Sequence, residues 1–181
     1  MTPSVRERRA QEVFRSLLLA TSYPGRPYPL PTRSLRSALQ AIAECLVDQR
    51  VGVWGPGWLL EALREQNPRA VPIPEADFVF LEGPEPLLQE GGAPPLKRGS
   101  PIAPETGATL VLGARFGAGT QVRLRGPGIP GEALFRSSLP AEFWAMRNRA
   151  VGYPLGFEVV LTDGLSVVAV PRSVEVEPWD T

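Results

Sequence analysis

The sequence predicts an α/β fold with a mixed sheet covered by helices, on three observations. Short apolar, strand-like runs alternate with amphipathic helical stretches through the first half of the chain. Two more strand-like runs sit within and beside the densest Gly and Pro punctuation, GSPIAPETGATLVLGARFGAGTQVRLRGPGIPG, residues 99–131. Near the end, Asp163-Gly164 joins two apolar runs as a hairpin. At 181 residues with 43% apolar residues, the chain is long enough for one ordinary domain with a full core, residues 1–181.

In chain order, residues 5–21 read as an amphipathic helix with Ala10, Val13, Phe14, Leu17 and Leu18 on its apolar stripe, stopped by Ser22-Tyr23-Pro24-Gly25. Pro24, Pro27, Pro29 and Pro31 then mark an extended connector outside regular structure. A second helix starts at Ser34, a good N-cap, and buries Leu35, Ala38, Leu39, Ile42, Cys45 and Leu46. Residues 51–54 form a short strand. Gly55-Pro56-Gly57 turns the chain into a helix over 58–66, and Asn67-Pro68 ends it. Residues 76–81, ADFVFL, are the next strand, and 82–99 an exposed excursion.

In the second half, 109–112 and 121–125 read as strands, with 101–107 a structured loop before them. Ser138-Leu139-Pro140 opens a helix, with Ser138 as cap and Phe143, Met146 and Ala150 facing inward. Residues 157–161 and 166–170 flank the expected type I′ turn, and 174–176 extends the same sheet.

Lys plus Arg and Asp plus Glu number 19 each, so the net charge is zero and no footprint for a nucleic acid or a membrane surface is expected. The single cysteine, Cys45, rules out an internal disulfide and suits a reducing compartment. No segment resembles a signal h-region or a membrane span, and the protein is read as cytoplasmic. Histidine is absent, which removes Ser-His-Asp and Cys-His catalysis and the usual zinc sites. Lys97 is the only lysine, so a Schiff-base cofactor would have to use it. The remaining positive charge is arginine, suited to planar contacts with phosphate-like groups but a poor proton carrier.

Gly126-Pro127-Gly128-Ile129-Pro130-Gly131 matches G-x-G-x-x-G by letter, but Pro127 and Pro130 have no N–H to offer a pyrophosphate, so it is read as a tight turn. Glu105, beside Thr106, is either an acid facing a site or a brace for its own loop. Arg123 and Arg125 alternate with Val122 and Leu124 and share one strand face, where they can hold a dianion or line a solvated polar surface. Arg172 and Arg15 are further candidates, each with an ion-pair role as its alternative. No catalytic residue and no metal ligand is assigned.

Phe14-Arg15-Ser16-Leu17-Leu18 leading to Ser22-Tyr23-Pro24-Gly25, then GSPIAPETGATL, RLRGPGI, YPLGFEVVLTDG and VAVPRSVEVE, in that order, resemble the PhnH family of phosphonate-metabolism proteins. The family is the H subunit of the carbon-phosphorus lyase system. The resemblance implies a cytoplasmic three-layer α/β/α sandwich similar to pyridoxal-phosphate-dependent transferases but without the cofactor. It also implies a homodimer that assembles with the G, I and J subunits. With G, I and L it would support transfer of the ribose triphosphate of ATP onto methylphosphonate, releasing adenine. Glu105, Thr106, Arg123, Arg125 and Arg172 are then the substrate-binding candidates. Ala150-Val151-Gly152 holds no histidine, so no role resting on an imidazole there carries over. Displacement at an anomeric carbon needs a carboxylate for the cationic sugar, a proton donor for adenine and cations for the triphosphate. No set of all three is legible in the chain, which points to an obligate subunit without activity alone.

Overall fold

A computed structural model describes residues 4–88 and 95–179. The first helix, α1 (Val5–Ser22), opens with a capping box between Ser4 and Glu7. It buries Val13, Ser16, Leu17 and Ala20, so the apolar stripe is turned from the expected one. Phe14 and Leu18 stay 56% exposed. Ser16 is drawn inward because its hydroxyl donates to the Pro29 carbonyl at 2.6 Å.

The proline-rich connector is not wholly irregular: Tyr28–Pro29 forms β1 and pairs antiparallel with Ser166 and Val167. A proline is tolerated there because β1 is an edge strand and its missing N–H breaks no ladder. The second helix, α2 (Leu35–Leu46), is capped by Ser34 as expected. β2 (Gly52–Trp54) leads into α3 (Gly57–Ala62), which ends earlier than predicted. A separate short turn, Arg64–Gln66, follows, with Asn67 left-handed at φ 48°.

β3 (Arg69–Ala70), β4 (Phe78–Leu81) and β5 (Thr109–Gly113) complete the parallel part of the sheet with β8 (Glu158–Thr162). β9 (Ser166–Val170) returns antiparallel beside β8, giving the order β1-β9-β8-β5-β4-β2-β3. The hairpin between β8 and β9 forms, but not through a type I′ turn. Thr162 pairs with Val167, leaving four residues in the loop, and only Gly164 has positive φ. Asp163 shapes the loop by accepting the Leu165 and Ser166 N–H groups at 2.9 and 2.7 Å.

β6 (Phe116–Arg125), β7 (Ala133–Ser137) and β10 (Glu175–Pro178) form a second sheet, ordered β10-β6-β7. The 174–176 segment was expected in the large sheet and instead joins this one. A turn closed by the Val174 N–H on the Pro171 carbonyl at 3.0 Å redirects the chain, and Val174 and Val176 are buried. The G-x-G-x-x-G segment is a turn between β6 and β7. Gly128 there has φ 79°, and a Cβ would run into the Ser22 carbonyl at the end of α1.

Strand alternation divides the core in two. Phe80, Val111, Val160, Val167 and Ala169 face α1, α2 and α3. Val79, Leu81, Leu110, Leu112, Val159, Leu161, Val168 and Val170 face the small sheet and α4 (Ala141–Ala150). The fold is therefore α/β with a mixed sheet, helices covering one side and a three-stranded sheet with one helix covering the other. Ser138 does not cap α4. Its hydroxyl accepts the Arg115 N–H at 3.0 Å, and Pro140 is the N-cap. The 82–99 excursion is partly drawn in, with Leu87 and Leu96 buried; its residues 89–94 lie outside the described residues.

Candidate functional site

The loop before β5 is fastened to the end of β9. Pro104–Thr106 makes one short helical turn, and the Thr106 hydroxyl donates to the Ala103 carbonyl at 2.7 Å. Glu105 and Thr106 are both exposed. Arg172 donates from Nη1 to the Pro104 carbonyl, from its backbone N–H to Glu158 at 2.8 Å, and pairs from Nε with the same carboxylate at 3.2 Å. Gly107 lets this happen, because a Cβ there would meet the Gly156 carbonyl and the Arg172 guanidinium. Arg172 and the Glu105–Thr106 loop, far apart in sequence, thus lie together.

Arg123 and Arg125 are elsewhere, on the outward face of β6, and that face is strewn with carboxylates. Arg125 reaches Glu132 at 2.9 Å and Glu177 at 3.8 Å. Arg123 lies 3.7 Å from Glu132 and 3.9 Å from Glu177, and its guanidinium stacks over Trp179 at 3.9 Å from the ring centre. The hydrogen bond to Glu132 raises the Arg125 pKa above its ordinary value. Arg15, on α1, is exposed.

Arg147, which sequence reasoning missed, is only 2% exposed although no carboxylate lies within ion-pair distance of it among the described residues. Its Nη2 donates to the Pro171 carbonyl at 2.8 Å and its Nη1 to the Asn148 side-chain carbonyl at 3.2 Å, while Nε has no partner. Burial pushes the guanidinium down to about 10, only partly offset by the charge of Glu158. That shift amounts to about 3 kcal/mol against the cation. The signal for it was in the sequence: 143, 147 and 150 fall on one helix face, and an arginine on an apolar stripe asks what it is for.

Arg147 lies in the wall of an open cleft of about 570 Å³, together with Arg172, Asn148, Val151, Tyr153 and Ser173. A second crevice of about 590 Å³ lies at the carboxyl ends of β4, β5 and β8, where open α/β sheets ordinarily bind ligands. Two of its carboxylates are committed locally: Glu82 pairs with Arg36 at 2.8 Å, and Asp163 holds the hairpin loop. Lys97 is ion-paired with Asp77. Burial pushes the Asp77 carboxyl up, but the Lys97 ammonium and the Gly52 N–H outweigh it and hold it below the usual range. Burial raises the Cys45 thiol, as expected for a packed rather than a reactive cysteine. Among the described residues, no group of three His, Cys, Asp or Glu is placed to hold a metal, and no helix is long and apolar enough to cross a membrane.

Fold and site together define a mixed-sheet α/β protein whose clefts are faced by arginine. The chain belongs to the PhnH family of bacterial phosphonate metabolism proteins, whose model matches residues 4–177. It is 36% identical over 173 residues to a protein named as a C-P lyase subunit, HtxG, from Stutzerimonas stutzeri, covering 93% of this chain and 86% of that one. It is 31% identical over 186 residues to the alpha-D-ribose 1-methylphosphonate 5-triphosphate synthase subunit PhnH of Rhizobium meliloti (strain 1021), covering 93% of this chain and 90% of that protein.

Proposed function

We propose that this protein is a cytoplasmic subunit of a carbon-phosphorus lyase system. It supports transfer of the ribose triphosphate of ATP onto methylphosphonate with release of adenine, and has no activity alone. The observation that carries the reading is similarity along nearly the whole chain to one protein named as a C-P lyase subunit and one named as an alpha-D-ribose 1-methylphosphonate 5-triphosphate synthase subunit, each aligned over 93% of it. Chemical composition supports the accessory part. The chain has no imidazole, and its one lysine is engaged by Asp77. Among the described residues, none of the clefts above combines an acid, a base and a triphosphate clamp.

The partners of this reading are the G, I and J subunits, with L, and a second copy of the chain. The surface offers support in Phe14 and Leu18, half-exposed apolar groups on α1 beside an apolar groove of about 340 Å³. Among Glu105, Thr106, Arg123, Arg125 and Arg172 as substrate contacts, the geometry favours Arg172, which lines the cleft shared with Arg147, over Arg123 and Arg125, which face carboxylates. The reading also takes the chain as one domain, 1–181, of three-layer α/β/α type similar to pyridoxal-phosphate-dependent transferases that has lost the cofactor. A spectrum of added pyridoxal phosphate that is the same with and without the protein checks that loss.

The test is reconstitution: the purified protein is incubated with ATP and methylphosphonate, alone and with the G, I and L subunits, and free adenine is measured by chromatography. Adenine is expected only from the mixture and is expected to disappear when this chain is left out. Turnover by the isolated protein, or an unchanged rate without it, overturns the reading.

A further inference from the structure

We propose that the cleft lined by Arg147 and Arg172 binds a phosphate or phosphonate oxyanion. Three observations on the residues carry it. Arg147 is almost wholly buried, yet among the described residues its Nε is without a partner and its two hydrogen bonds go to neutral carbonyls. Nature rarely keeps a buried charge without a counter-charge, because the desolvation is not repaid inside the fold. A group arriving from outside can repay it.

The local balance of charge has the sign such a group needs. Arg147 and Arg172 share one carboxylate, Glu158, and Glu158 is already engaged by the Arg172 backbone and side chain. Glu175 also lines the cleft, but it pairs in register with Arg125 on the outward face of the small sheet, where it contributes to the field at that arginine. The surplus at the cleft is positive, set against low-dielectric walls that strengthen its reach.

The shape fits a ligand larger than an inorganic ion. A volume of about 570 Å³ leaves space beside the arginines, with Val151 and the exposed ring of Tyr153 as apolar wall and the Asn148 side chain as a polar one. Arginine forks match phosphoryl and carboxylate oxygens alike. The choice of a phosphorus oxyanion over a carboxylate rests on the phosphonate reading above.

The experiment is calorimetric titration of the full chain, at fixed ionic strength, with inorganic phosphate, methylphosphonate, tripolyphosphate and succinate. Saturable binding of one or more of the phosphorus anions is expected, with succinate weaker. Arg147→Met removes the charge while keeping the volume and is expected to weaken binding at least about tenfold without lowering the melting temperature. Ser173→Glu sets a carboxylate at the half-buried rim and is expected to do the same, so the idea stays testable if the first variant does not fold. Arg115→Gln, at the carboxyl-end crevice, is expected to bind as the parent does. No saturable heat with any phosphorus anion, variants that bind normally, or succinate binding as tightly as phosphate would each overturn the site. The outcome is independent of adenine release by the assembled subunits, so a failed reconstitution and a failed titration are told apart.

Discussion

Two arginine pairs in this molecule differ in their surroundings rather than in their chemistry. Arg123 and Arg125 stand on the open face of the small sheet, with Glu132 and Glu177 between them and Trp179 beneath one guanidinium. Arg147 and Arg172 stand at the seam between α4 and the large sheet, sharing Glu158 and facing a cleft. The first pair has two carboxylates within ion-pair reach of both guanidinium groups, and Arg125 is the more exposed of the two, so its contacts have little energetic weight. The second is more deeply buried, with Arg147 2% exposed, and under-matched, so each charge there weighs more. An arginine's role is therefore read better from what surrounds it than from its spacing along a strand.

The apolar part of the α4 face sets the upper end of the expected effects. Phe143, one turn before Arg147 and fully buried, is expected to cost about 3–5 kcal/mol as Phe143→Ala, seen as a lower urea midpoint. Next comes the shared carboxylate. Glu158→Gln leaves two arginines without their common counter-charge and is expected to cost about 2 kcal/mol, with tighter phosphate binding in the same variant. Opposite signs on stability and on anion affinity are the signature of an under-matched site; a loss of both would mean Glu158 is only a brace. The smallest effect belongs to the exposed pair. Arg125→Gln is expected to leave the thermal midpoint within experimental scatter, and a large fall would erase the contrast drawn between the two pairs.

Much of the fold was legible because it depends on local rules. Ser34 caps α2 through Ser37, the run ADFVFL contains β4, and the Asp-Gly turn brings β8 and β9 together. Where reading failed, a distant partner had decided. Pro29 is in a strand because β9 offers it an edge, and Ser138 gives up capping because Arg115 needs an acceptor. Residues 174–176 leave the large sheet because β6 has a free side for them. Phe14 and Leu18 fall on an apolar stripe by spacing, yet α1 meets the sheet through Val13, Leu17 and Ala20.

Sites follow the same division. Which chemistry is present follows from the order of residues alone: no imidazole, one side-chain amine, many guanidinium groups, and a set of ordered motifs sufficient to identify the family. Which of those guanidinium groups is buried, which is matched by a carboxylate and which faces a cleft emerges only once the chain is folded. The physical reason is that composition and periodicity are properties of neighbours along the chain, whereas desolvation and charge balance are sums over neighbours in space.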